Sequence, residues 1–377
     1  MNPKDRIKEL FAAQCFLAIK GTGPASIKRI LDFYPNFSSA WQDLKNVLQL
    51  LPKQSTKRFL MDVPLAKVKA QSESKARICV NKILKSNVYF VLLSEPSYPL
   101  SLKEIATPPP VLYYQGNLSV TQKPCLAIVG TRNPTPYGIS MAKELATDLS
   151  RQGFCIVSGL ALGIDAISHQ AVLEVKGSTI AVVGCGVDVI YPYQNSLLRE
   201  KILHHGLIIS EYLPGTPPES HRFPQRNRII SGLSLGVIVV EAGVKSGALI
   251  TAKFALEQNR EVFTVPGTAK MKTFAGCNAL IKQGACLIQG VEDVLDELSW
   301  TRKNPIKINQ KQEKQNQSHL TLEDKICALL KQMDKLHLEE LKAKINVDIN
   351  LLSSTLLQME VQGIITRLPG MFYQLTN

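Results

Sequence analysis

Short apolar runs recur along the middle of the chain, each followed by a glycine-bearing turn and then an amphipathic stretch. The runs are Leu126–Val129, Cys155–Val157, Ile180–Val183, Leu207–Ser210, Val237–Val240 and Val262–Val265, with a weaker one at Cys286–Ile288. Continuous apolar runs, rather than strict alternation, mark strands buried on both faces. Alternating with helices, they predict an α/β fold with a doubly wound parallel sheet. In such a fold ligands lie beyond the carboxyl ends of the strands.

The flanks follow other patterns. Residues 1–70 read as a small helical domain. Ile7, Leu10, Phe11, Phe16, Leu17 and Ile19 form one helical stripe, which Gly21-Thr22-Gly23-Pro24 breaks before a second helix carrying Ile27, Ile30 and Leu31. Helix, Gly-x-Gly turn, helix has two readings: a helix-hairpin-helix unit whose turn amides hold DNA phosphates, or a plain helical hairpin packed on a neighbour. Residues 71–299 hold a polar-faced helix over 71–85, strands at Val88–Leu93 and Val111–Tyr114, and then the sheet. Residues 300–318 are polar and predict a flexible linker.

From residue 319 three helices and a hairpin around Pro369-Gly370 predict a winged helix. Its third helix, Asn350 to Glu360, has no Lys or Arg. A DNA-reading helix is normally basic, so this module points to protein contacts instead.

The turns at the strand carboxyl ends carry the candidate chemistry. They read Gly130-Thr131-Arg132, Ser158-Gly159 through Gly163-Ile164-Asp165, Gly184-Cys185-Gly186, Glu241-Ala242-Gly243 with Ser246-Gly247, and Pro266-Gly267. Ser246 stands where it caps a helix bearing Thr251 and Lys253. Glycines let backbone amides approach an anion closely, and helix N-termini aim those amides outward. Five such turns on one rim favour a polyanion.

Beside them runs Arg222-Phe223-Pro224-Gln225-Arg226-Asn227-Arg228-Ile229-Ile230-Ser231. Pro224 predicts an extended approach, with the helix beginning near Arg226. Arg226 and Arg228 then fall in a first helical turn, where cations oppose the helix dipole unless an anion sits among them. Pairing to acidic neighbours is the alternative.

Charge changes the picture by its location. The net charge is +13, yet residues 1–123 hold 18 basic against 8 acidic residues, while residues 124–297 hold 15 of each. An anion site in the sheet region must therefore come from local arrangement. The eight cysteines show no Cys-x-x-Cys spacing and no metal-ligand pattern with the six histidines, which fits a reducing cytosol. No apolar run is long enough to span a bilayer, and no signal-peptide pattern opens the chain. A P-loop ending and a full Gly-x-Gly-x-x-Gly are absent, and no Ser, His and carboxylate arrangement suggests catalysis. Asp165 and Glu241 read as turn caps or arginine partners. No cofactor is implied.

These motifs resemble the bacterial DNA-processing protein A family (DprA, also called Smf). The resemblance rests on Val129-Gly130-Thr131-Arg132, Ser158-Gly159-x-Ala161-x-Gly163-Ile164-Asp165, Tyr191-Pro192-x-x-Asn195 and Phe223-Pro224-x-Arg226-Asn227-Arg228. Ser246-Gly247-Ala248, Val265-Pro266-Gly267 and Gly276-Cys277-Asn278 follow in the same order. It implies an extended Rossmann-like domain flanked by a SAM-like or helix-hairpin-helix domain and a winged helix, in a cytoplasmic, non-catalytic homodimer that binds single-stranded DNA and helps load RecA recombinase during natural transformation. The DNA contacts it implies are Gly130, Thr131, Arg132, Ser158, Gly159, Arg222, Phe223, Arg226, Asn227, Arg228, Ser246, Gly247 and Lys253. A competing reading is a nucleotide-processing enzyme like the lysine-decarboxylase-like phosphoribohydrolases, but their Pro-Gly-Gly-x-Gly-Thr-x-x-Glu signature is missing.

Overall fold

The computed structural model describes residues 2–50, 64–299 and, within 326–375, all but 328, 331, 332, 334, 346–348, 362 and 369. The expected linker over 300–318 lies outside the described residues. The chain forms two compact units, Met1–Pro305 and Ile306–Asn377.

The first unit opens with helices α1 (Pro3–Ala18), α2 (Pro24–Phe33), α3 (Phe37–Gln42), α4 (Leu44–Leu50) and α5 (Leu65–Lys85). Asn2 caps α1 by accepting from the Asp5 amide, and proline opens both α1 and α2, where a missing N–H costs nothing. Val68, Ser72, Ala76, Val80 and Ile83 give α5 one unbroken buried face. The helix therefore starts before residue 71, and the boundary expected near residue 70 falls inside it.

Then come β1 (Tyr89–Leu92), α6 (Leu100–Glu104), β2 (Val111–Gly116), β3 (Cys125–Val129), α7 (Pro136–Arg151), β4 (Cys155–Ser158), α8 (Ile164–Glu174), β5 (Thr179–Val182) and α9 (Ser196–His205). β6 (Leu207–Ser210), α10 (Arg222–Leu233), β7 (Gly236–Val239), α11 (Ala248–Glu257), β8 (Glu261–Thr264), α12 (Ala275–Lys282), β9 (Cys286–Leu287) and α13 (Val291–Glu297) complete the unit.

The nine strands form one sheet in the order β1-β2-β6-β5-β4-β3-β7-β8-β9. Strands β3 to β9 run parallel, while β2 joins β6 and β1 joins β2 antiparallel. This is the doubly wound arrangement, and the order reverses between β3 and β7, where a crevice opens. Successive side chains of β3 serve opposite faces. Leu126 and Ile128 join Met141, Leu145 and Leu149 of α7 and Val172 of α8. Ala127 and Val129 join Ile229, Ile230 and Leu233 of α10 and Ala252 of α11. Cys125, Cys155 and Cys185 are buried.

Polar bolts hold the N-terminal helices to the sheet edge. Gln14 Nε2 donates to Tyr113 Oη at 2.9 Å, and Arg6 Nε reaches Glu95 Oε1 at 2.7 Å. Lys28 Nζ, which a phosphate-binding hairpin would aim at DNA, donates instead to the carbonyls of Glu104 (3.1 Å) and Ile105 (2.7 Å). The helical hairpin is thus packed on α6 through that lysine.

The second unit holds β10 (Lys335–His337), α14 (Leu338–Ile345), α15 (Ile349–Val361), β11 (Ile365–Leu368) and β12 (Phe372–Leu375), with β12 central in a three-stranded sheet. Ile326, Leu330, Leu341, Leu356 and Tyr373 share its core. This is the winged-helix arrangement, with one strand, β10, that the pattern did not predict. Among the described residues no helix is long and apolar enough to cross a membrane.

Candidate nucleic-acid interface

At the β3–β7 crevice the carboxyl-end turns open onto a groove of about 760 Å³. One wall is Gly130, Thr131 and Arg132 after β3. The facing wall is Lys245, Ser246 and Gly247 after β7, running into α11. The N-terminal half of α10 closes the groove with Phe223, Pro224, Arg226 and Asn227.

The helix α10 begins at Arg222, not at Arg226. Pro224 sits in its first turn, where the backbone N–H has no helical partner, so the proline continues the helix instead of delaying it. The two later arginines consequently move to the second turn and point inward. Arg226 is only 5% exposed and Arg228 8%.

Their fates differ. Arg228 donates from Nη1 and Nη2 to the two oxygens of Glu211 at 3.1 and 2.7 Å. That bidentate pair fastens α10 to the end of β6 and leaves Arg228 outside the groove. Burial pushes the Glu211 carboxyl up, against the pull of Arg228.

Arg226 has no such partner. Its Nη1 donates to the Val182 carbonyl at the end of β5, and its Nε is buried without a hydrogen bond. An unmade hydrogen bond on a buried charged group costs more than the roughly 1–3 kcal/mol typical of neutral groups. Asp165 offers charge without a direct ion pair, because its carboxylate accepts from the Gly159 (3.1 Å) and Ala161 (3.4 Å) amides. Burial pushes Asp165 up and Arg226 down, each opposed by the other's charge. The guanidinium stays protonated, and a cation in the floor of a groove attracts an anion.

Close approaches tie these loops together. A Cβ on Gly159 would lie 2.3 Å from Arg226 Nη1. Gly163, at φ 77°, leaves no room for one against the Thr131 and Arg132 carbonyls. Asn195 Nδ2 donates to the Leu160 and Ala161 carbonyls at 2.9 and 3.2 Å, holding the same turn. Glu241, fully buried, accepts from the Thr135 amide and hydroxyl, both at 2.9 Å, and so locks the start of α7. The cap roles expected of Asp165 and Glu241 are both seen.

Phe223 and Tyr191 pack at 5.4 Å between ring centres, tilted by 38°, and both line the groove. Asn227 Nδ2 donates to the Gly247 carbonyl at 3.3 Å, bridging α10 to the opposite wall.

Of the residues expected at the site, Gly130, Thr131, Arg132, Phe223, Arg226, Asn227, Ser246 and Gly247 line the groove, and Gly159 lines a recess beside it. Four do not. Ser158 Oγ is inside the sheet, donating to the Ile128 carbonyl at 2.6 Å. Arg222 is held by Glu219 at 2.8 Å and by the Pro217 carbonyl. Arg228 is held by Glu211. Lys253 is on the solvent side of α11, 3.9 Å from Glu257. Conversely, Lys245 and Lys272 line the groove, both exposed, and neither was expected. Each follows a strand carboxyl end (β7 and β8), so weighing every cation in those turns would have found them. Ser246 does not cap α11 by its side chain from the N-cap position. That position is Gly247, and Ser246 Oγ accepts from the Ala248 amide at 3.3 Å.

The groove therefore presents four basic side chains, Arg132, Arg226, Lys245 and Lys272, against one carboxylate, Asp165. The sequence matches the family model of DNA recombination-mediator protein A over residues 89–299. Protein Smf of Synechocystis sp. is 37% identical over 393 aligned residues, covering 94% of this chain and 96% of that protein. The X-ray structure of DNA processing protein A from Streptococcus pneumoniae superposes with a TM-score of 0.66 at 33% identity, over 76% of this chain and 95% of that one. A Helicobacter pylori DNA processing protein A structure, described for its single-stranded DNA binding mode, gives a TM-score of 0.52 at 32% identity, over 57% of this chain and 97% of that one. A groove built from these motifs, on this sheet, with one relative matching nearly end to end, leads to one assignment: the chain belongs to the DNA recombination-mediator protein A family.

Proposed function

We propose that this protein binds single-stranded DNA in the β3–β7 groove and, as a homodimer in the cytoplasm, helps load a RecA-type recombinase onto it during DNA uptake. The observation that carries the reading is Arg226, a buried cation with an unpaired Nε in the floor of a groove rimmed by Arg132, Lys245 and Lys272. Phosphates satisfy that guanidinium and the glycine-turn amides. The Phe223–Tyr191 pair gives bases a surface on which to stack whatever their sequence. The Helicobacter pylori relative's single-strand binding supports the same ligand class.

The reading is binding without catalysis. Ser158 spends its hydroxyl on a sheet carbonyl, and His169 Nδ1 is 2.6 Å from Thr179 Oγ1 in the core, so neither supplies a nucleophile or base to the groove.

Oligothymidylate binding measured against salt tests it. Arg132→Ala and Arg226→Ala each lose about 1.5–3 kcal/mol, the range for hydrogen bonds to charged groups. Each also shrinks the salt slope by about 0.7, one phosphate contact on a single strand. Wild-type affinity in a folded Arg226→Ala protein removes the assignment.

A further inference from the structure

We infer that the lysine face of α5 is a second contact for single-stranded DNA, taking up the strand where it leaves the groove. The inference rests on the groove holding that strand.

The excess positive charge of the chain lies in its first 123 residues, and α5 displays much of it. The helix buries Val68, Ser72, Ala76, Val80 and Ile83 and exposes Lys67, Lys75, Lys82 and Lys85. Its one carboxylate, Glu73, accepts from Trp41 Nε1 at 3.2 Å. Among the described residues none of the four lysine side chains makes an ion pair or a side-chain hydrogen bond. The helix dipole explains Lys82 and Lys85 in the last turn. It does not explain Lys67 in a first turn without any acid, where a cation is unfavourable. An unpaired cationic stripe of this kind is what a polyphosphate chain neutralises.

Its position connects it to the groove. Lys82 Nζ lies against the loop after β6, 3.0 Å from where a Cβ on Gly215 would stand. The carboxylate there, Asp188, accepts from the Gly215 amide at 2.7 Å. Five residues on, the same loop reaches Pro218 and Ser220, which line the groove. Five residues span at most about 17 Å. A strand leaving past Phe223 therefore meets Lys82 within a few nucleotides. Lys75 follows two helical turns away, about 10 Å along the axis.

The test compares two oligothymidylates, one of about six nucleotides that fills only the groove and one of about twenty, longer than a single compact binding fold engages. The protein is the full chain carrying Lys75→Gln, Lys82→Gln and Lys85→Gln together. Six-nucleotide binding is expected to match wild type. Twenty-nucleotide binding is expected to weaken, with a salt slope lower by about 2, three contacts at about 0.7 each. A wild-type slope for the long strand overturns the inference. So does an equal loss in a protein with Lys143→Gln and Lys176→Gln on the α7–α8 side, which would make the effect one of bulk charge. Failure of wild type to bind the short strand would instead bring down the groove reading.

Discussion

The central sheet and the N-terminal helices relate charge to structure in opposite ways. The central residues are neutral in sum, yet they gather four cations and one carboxylate into a single groove. The N-terminal residues are strongly basic, yet among the described ones Arg6 and Lys28 bolt helices to their neighbours while the α5 lysines stand on an exposed helix face. Net charge reports long-range attraction, whereas a site needs cations whose counter-charges have been kept away. Where a cation is buried decides its role more than how many there are.

The comparison is tested hardest at Arg228, a central cation held in a buried bidentate pair. Arg228→Ala should cost about 3–5 kcal/mol of stability by leaving Glu211 buried and unpaired. Groove affinity in the folded fraction should be unchanged. Denaturant unfolding reads the loss, and Arg228→Met with Glu211→Leu should recover most of it. Phe223→Ala comes next. It should weaken single-strand binding by about 1–3 kcal/mol and leave the salt slope at its wild-type value, because stacking releases no counterions.

A pH scan then probes the central core. Burial, helped by the Arg226 charge, pushes His169 down to about 3 from its ordinary 6.5. The folded state thus favours the neutral ring. The stability this contributes is fully present above about 6.5 and is lost as pH falls toward 3, at about 1.4 kcal/mol per unit. Asp165 and Glu211, both raised by burial, work in the other direction as the pH falls, so the readout is the difference between wild type and His169→Gln. Wild type should lose stability relative to His169→Gln between pH 6 and 4, and a constant offset would mean the ring is hydrated. The smallest effect belongs to the N-terminal side. Lys28→Ala should lower stability by about 1 kcal/mol through its lost carbonyl contacts and leave DNA binding as it was. Lost DNA affinity there would restore the helix-hairpin-helix role to α2.

Much of the fold was legible because the central strands are buried on both faces, which forces uninterrupted apolar runs that stand out from the helices between them. The strand β10 was not, since Lys335, Leu336 and His337 offer one apolar residue and no period. The start of α10 was misplaced because Pro224 marks a boundary in two ways, disfavouring helix before itself yet fitting a first turn. In the groove, the glycine turns and Arg132 could be read from spacing. The Arg228–Glu211 pair could not, because Glu211 belongs to a different strand end.

The sequence alone determined the strand and helix alternation, the rim of glycine turns and the family motifs, since these depend on local patterns and on residues a few positions apart. Only the tertiary structure decided which arginine lines the groove and which one braces. Arg226 and Arg228 are two residues apart on one helix, so they leave it about 200° apart and meet different neighbours. One finds a carboxylate 17 positions back in the chain. The other finds a carbonyl, a neighbouring charge held by backbone amides, and an open groove.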